Sequence, residues 1–259
     1  MTVDPDFGRT VNDYTTHRAD FPEQLFGQLA EHGVGTPGSC LLDLGTGTGA
    51  MARPFAQRGC VVTGLDPSAE MLAGAARLAE QEELNIHWVQ ATAEATTLPD
   101  ASFDFVSAGQ CWHWFDPSAA ATEVARILCP EGQILIAQFD WLPLKGNLVE
   151  AVEELILKYS PDWHLGGATG VYPERFVQLG EAGFWDLRSF SFDLEVPYRT
   201  DAWRGRIRAS AGVGGSLTPD RVAAFDDEHA SLLATRFPGE LQHVPHRIFA
   251  LLARTPRSV

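Results

Sequence analysis

The stretch from Cys40 to Met51, CLLDLGTGTGAM, concentrates residue types that can do chemistry. Glycines alternate at Gly45, Gly47 and Gly49 after an apolar run. That pattern predicts a strand, a tight turn and a helix start. Such a turn brings backbone N–H groups against a ligand. Gly45 to Ala50 also meets the G-x-G-x-x-G/A spacing of dinucleotide sites. Asp66 follows about 20 residues on, where a carboxylate suits ribose hydroxyls. Asp43 pulls the other way, because a carboxylate beside the turn would repel a pyrophosphate. It suits a ligand that carries ammonium and sulfonium charges instead.

Other candidates cluster after later strands. Ala93 and Glu94 follow the third strand, where a loop can meet an adenine edge. Gln110-Cys-Trp112-His113-Trp114-Phe115 follows the fourth. Aromatic walls there would exclude water and attract an electron-poor sulfonium. The same aromatics could equally be core residues. His113 is a candidate general base, or a donor that orients a substrate. Tyr14 and Arg18 are four apart and share a face if helical. They suit either a lid with a carboxylate-binding pair or a plain surface pair. Trp203, Arg204, Arg206 and Arg208 form an aromatic and basic group in an acidic chain, either an anion anchor or a solvated basic face. No metal-ligand cluster is evident.

Strands and helices alternate around these residues. Strand patterns fall at SCLLDL, CVVTGLD, NIHWVQA, FDFVSAG and QILIAQFD. Helix patterns fall between them, from about Ala50 to Arg58, after Ser68 as N-cap, and from Pro117 in a first turn. Alternation of this kind predicts a doubly wound parallel α/β sheet. Beyond Asp140 come a helix at NLVEAVEELILKYS, a short helix at 173–183, a strand at RSFSFDLEVPY, a helix at 218–237 and a last strand at HRIFALLAR. The expected division is a helical lid over 1–38, a cofactor-binding core over 39–144, and a substrate cap with the final strands over 145–259.

Together LLDLGTGTG, GLDPSAEML, AEATTLPDASFD and RILCPEGQIL resemble the class I S-adenosylmethionine-dependent methyltransferases, in the right order over about 39–140. DYTTHRADFP and QCWHWFD are similar to segments of small-molecule methyltransferases of the trans-aconitate methyltransferase type. Ala19 stands where that group usually has proline, and LCPEGQ replaces a basic-Pro-Gly-Gly turn. The resemblance implies a Rossmann-like, mostly parallel seven-stranded sheet with an antiparallel last strand and a helical cap after strand 5. It implies S-adenosylmethionine as cofactor and S-adenosylhomocysteine as product. It places the cofactor on Tyr14, Arg18, Asp43, Gly45, Thr46, Gly47, Asp66, Pro67, Met71, Ala93, Glu94 and Gln110. His113 and Gln110 are the catalytic candidates. Trp112, His113, Trp203 and Arg206 are the candidates for holding a small, acidic or polar acceptor. The competing readings are an NAD(P)-dependent oxidoreductase and a non-catalytic cofactor-binding module.

The chain has 259 residues and a formal net charge of -15, a poor match to nucleic acid or an anionic membrane. Its four cysteines, Cys40, Cys60, Cys111 and Cys129, lie far apart, as expected of reduced thiols in a cytoplasm. The N-terminus shows no signal-peptide pattern. A monomer or a dimer is expected, acting on a small molecule.

Overall fold

The computed structural model describes residues 20–257, so Tyr14 and Arg18 lie outside the described residues. One seven-stranded sheet has the order β3-β2-β1-β4-β5-β7-β6. Its strands are β1 (Cys40–Leu44), β2 (Val61–Asp66), β3 (Ile86–Gln90), β4 (Phe103–Gly109), β5 (Leu128–Trp141), β6 (Trp185–Arg199) and β7 (Leu241–Arg254). β1 pairs in parallel with β2 and β4, β2 with β3, and β4 with β5. The last strands run antiparallel to the rest. The strand order turns back beside β1, and open parallel sheets bind ligands at such a reversal.

The helices follow from local signals. α1 (Glu23–Glu31) buries Leu25, Phe26 and Leu29. α2 (Ala52–Gln57) follows the glycine turn. α3 (Ala69–Gln81) starts at Ser68, whose Oγ accepts from the Met71 amide at 3.2 Å. α4 (Pro117–Ile127) starts on Asp116, which accepts from Ser118 and Ala119 and sets Pro117 in the first turn. α5 (Leu148–Tyr159), α6 (Glu174–Glu181), α7 (Thr200–Arg208) and α8 (Pro219–Arg236) complete the described set. The pattern at RILCPEGQIL departs from a simple helix, turn and strand. β5 already begins at Leu128, Glu131 takes φ 65°, and the pairing with β4 shifts register between Phe103 and Phe105. The turn lies inside the strand as an irregularity.

The chain forms two compact units, and the division falls differently from the one expected. One unit comprises Asp20–Phe139, Val171–Phe192 and the chain from Ile248. The other comprises Asp140–Gly170 and Asp193–Arg247. α1 thus groups with the core rather than a separate lid, and its Phe26 packs edge-on against Phe55 with ring centroids 5.3 Å apart. α6 also groups with the core, because Leu179 and Phe184 are buried among Val124, Ile127 and Phe249. In the second unit α5, α7 and α8 bury Ile156, Trp203, Ile207, Phe225 and Leu233 around their own apolar centre.

Candidate active site

In the core unit the site is built at the carboxyl ends of β1, β2 and β4. Asp43 is the penultimate residue of β1, with Gly64 of β2 and Ser107 of β4 as its register partners. The carboxyl is 1% exposed. Its Oδ2 accepts from the Thr46 hydroxyl and its Oδ1 from the Ser107 hydroxyl, both at 2.7 Å. Burial pushes its pKa up to about 6, and these two hydroxyls oppose the rise. A carboxylate so costly to ionise favours a cationic neighbour.

The turn after Asp43 needs its glycines. Gly45 and Gly47 hold φ 55° and 54°, in the left-handed region. A Cβ on Gly45 would stand 2.8 Å from the Cys111 Cβ, whereas one on Gly47 would meet nothing within 4 Å. The backbone at Gly47 therefore faces open space that a ligand can enter. Thr46 N donates to the Leu65 carbonyl at 2.9 Å, and Gly47 N donates to Asp66 Oδ2 at 2.9 Å.

Asp66 ends β2 and is buried, which raises its pKa. Its Oδ1 accepts from Ser68 N at 2.9 Å. Each oxygen thus uses one lone pair on the backbone and retains another for a hydroxyl donor. Pro67 is exposed beside it and Met71 is buried one turn into α3. The turn after β3 is closed by a bridge between Thr92 and Ala95, with Ala93 buried. Glu94 accepts from the Asp116 amide at 3.0 Å. Its carboxylate is therefore committed to the start of α4, and what the turn can offer an adenine is backbone.

Gln110 follows β4 with φ 56°, an uncommon conformation for a non-glycine residue. Its amide N donates to the Ala137 carbonyl at 2.9 Å, and Nε2 donates to the Phe139 carbonyl. Strained backbone of this kind concentrates at functional sites. A short 3-10 turn, Trp112–Trp114, then separates its residues. Trp112 is fully buried, packs edge-on to Phe115, and donates from Nε1 to Gln178 Oε1 at 2.9 Å. Trp112 is thus a core residue and not an acceptor wall. His113 and Trp114 are exposed, with ring centroids 4.6 Å apart.

The second unit corrects the basic cluster. Trp203 is fully buried among Trp141 and Tyr198, so it supports the unit rather than touching a ligand. Arg204 and Arg208 both close on Asp226, at 2.6 and 3.1 Å. Arg206 is half-buried with its guanidinium 4.7 Å from the Trp141 ring centroid. Sequence reasoning missed Ser107 and Asp226, because each meets its partner only through the fold. Among the described residues no group of three His, Cys, Asp or Glu could hold a metal ion, and no helix is long and apolar enough to cross a membrane.

The strand order and the crevice at Asp43, Gly47 and Asp66 define the class I methyltransferase fold. The methyltransferase-domain family matches residues 42–136. The malonyl-[acyl-carrier protein] O-methyltransferase of Serratia marcescens is 34% identical over 228 residues, 85% of this chain and 84% of that one. An uncharacterized methyltransferase of Mycobacterium tuberculosis is 36% identical over 128 residues, 49% of either chain, so the match spans about half of that relative. A structure of Haemonchus contortus phosphoethanolamine N-methyltransferase 2 with S-adenosyl-L-methionine superposes with TM-score 0.58 at 20% identity, covering 97% of this chain and 57% of that one. The chain belongs to the S-adenosylmethionine-dependent methyltransferase family.

Proposed function

We propose that the chain transfers a methyl group from S-adenosylmethionine to a small polar acceptor by in-line displacement. The observation that carries this is the buried Asp43 carboxylate behind the open Gly47 backbone, with Asp66 retaining lone pairs at the end of β2. A carboxylate at that point disfavours the pyrophosphate of a nicotinamide cofactor and favours a positively charged one. Asp66 would hold the ribose hydroxyls, Met71 and Ala93 would border the adenine, and Asp43 would face the cationic end.

S-adenosylmethionine supplies a methyl already activated by its sulfonium. The protein's share is alignment and exclusion of water, and orientation of this kind is worth about 7–11 kcal/mol. Gln110, fixed by two hydrogen bonds to β5, would border the methyl. His113, exposed on the turn beyond it, would accept the proton of a hydroxyl, amine or acidic carbon as that atom attacks. A carboxylate acceptor would need no base. The Serratia relative, by its name an O-methyltransferase, supports transfer to oxygen as the first chemistry to try.

The experiment is transfer of labelled methyl from S-adenosylmethionine to a pool of small metabolites. Label in an acceptor below about 1 kDa supports the reading. Saturable cofactor binding with no transfer to any small molecule would favour the non-catalytic alternative.

A further inference from the structure

The glycine turn is supported by a row of residues across three strands of the core unit. Register pairs Asp43 of β1 with Gly64 of β2, and Gly64 with Trp88 of β3. Register partners in adjacent strands share a sheet face. Gly64 leaves a notch in the middle of this row, and the Trp88 indole is laid across it. A Cβ at Gly64 would stand 2.4 Å from Cζ3 and 2.6 Å from Cε3 of that ring, closer than real Cβ atoms approach. β3 is an edge of the sheet, yet Trp88 is half-buried, because its ring lies inward over β2.

The same ring meets the turn at two places. The Thr46 methyl stands 3.2 Å from the point a Gly64 Cβ would occupy, beside the indole. A Cβ at Gly49 would lie 3.4 Å from the Trp88 Cη2. Thr46 and Gly49 bracket the Gly47 backbone, and the Gly49 amide donates to the Thr46 carbonyl at 2.8 Å. The Gly49 carbonyl accepts from the Arg53 amide of α2 at 2.9 Å. Glycine backbone is freer than any other, so a turn with glycine at 45, 47 and 49 depends on outside contacts for its shape. Asp43, Leu65 and Asp66 supply its polar ties. Trp88 supplies an apolar one, with the flat face of a large ring.

We propose that Trp88 is a positioning residue for the cofactor: its indole, seated in the notch at Gly64, braces Thr46 and Gly49 so that the Gly47 backbone stays open to S-adenosylmethionine. It acts through the turn and not by touching the ligand. Gly64 belongs to the same device, since any side chain there would displace the ring. The proposal rests on the methyltransferase reading above, which puts the cofactor at this turn.

The test is calorimetric titration of the full chain with S-adenosylhomocysteine, at a temperature where each variant is fully folded by its own melting curve. Trp88→Ala is expected to lower affinity at least ten-fold. Trp88→Phe, which keeps a ring over Gly64, is expected to stay within about three-fold of wild type. Gly64→Ala is expected to lose at least ten-fold because its methyl collides with the indole. The double variant Gly64→Ala with Trp88→Ala removes that collision, so its loss falls well short of the product of the two single losses, as for residues in contact. A residue that only stabilises the sheet would lower the melting temperature and leave affinity alone. Undiminished affinity in a folded Trp88→Ala therefore overturns the proposal, as do losses that multiply in the double variant. If Trp88→Ala does not fold, Trp88→Leu, apolar but without a ring to reach Gly49, is judged by the same ten-fold criterion. Absence of S-adenosylhomocysteine binding by the wild type would overturn the methyltransferase reading and this proposal with it, whereas normal wild-type binding with an indifferent Trp88 overturns this proposal alone.

Discussion

The Gly47 amide donates to the Asp66 carboxylate at 2.9 Å across 19 residues of sequence. This bond ties the glycine turn to the end of β2, so one side chain both shapes the crevice and would bind in it. Asp66→Ala should weaken S-adenosylhomocysteine binding by about 1–3 kcal/mol, the scale for losing hydrogen bonds to a charged group. Asp66→Asn should lose less, because its carbonyl oxygen still accepts from Gly47. Titration calorimetry on both variants checks the order, and equal affinities across the series would remove Asp66 from the site.

Asp43 makes cofactor binding depend on pH. Its pKa rises from 3.8 to about 6 because it is buried. A raised carboxyl pKa adds stability below 3.8 that is lost as pH rises through about 6. The size is roughly 3 kcal/mol. Asp43→Asn should therefore be the more stable protein at pH 7 without ligand. A cationic cofactor favours the ionised carboxylate, so wild-type affinity for S-adenosylmethionine should climb from pH 5 to 7 and then level. The asparagine variant should bind weakly and without that slope. Parallel slopes in the two proteins would contradict the placement of Asp43 beside the positive charge.

His229 predicts acid sensitivity in the second unit. The ring is fully buried and neither nitrogen has a hydrogen-bond partner among the described residues. Burial lowers its pKa from 6.5 to about 4, and the nearby Arg204 and Arg208 lower it further while Asp226 opposes them. A depressed histidine pKa adds stability above 6.5 that is lost as pH falls through about 4. The amount is roughly 3 kcal/mol. His229→Leu should flatten part of the melting-temperature decline between pH 6.5 and 4. His246, with a pKa also near 4, should retain the rest.

Trp112 and His113 are neighbours with opposite assignments. Trp112→Ala should cost about 3–5 kcal/mol by denaturant unfolding, as for large buried aromatics. His113→Ala should change stability by less than about 0.5 kcal/mol, the usual range for an exposed residue. It should slow transfer to a hydroxyl or amine by about 10²–10⁴-fold if the ring accepts the proton. A destabilised His113→Ala with normal turnover would reverse the two roles.

The crevice was legible because its signals are local. The glycine spacing, Asp43 at a strand end and Asp66 after the next strand are fixed by chain order in a parallel α/β unit. The helix starts at Ser68 and Pro117 follow from capping chemistry and appear where expected. The aromatic hexamer was not legible, since a three-residue 3-10 turn has no period from which to read Trp112 inward and His113 outward. The arginine cluster misled for a different reason. Asp226, on a separate helix, neutralises two of its members, and nothing in the local sequence announces that pairing. Glu94 is similar, because its tie to the Asp116 amide spans 22 residues.

The central claim is a cationic, phosphate-free cofactor in the crevice at Asp43 and Asp66. Calorimetric titration of the full chain with S-adenosylmethionine, and separately with NAD, tests it most directly. The account predicts one saturable site for S-adenosylmethionine, weakened by Asp66→Ala, and no measurable heat of binding with NAD. Saturable binding of NAD with none of S-adenosylmethionine would contradict it.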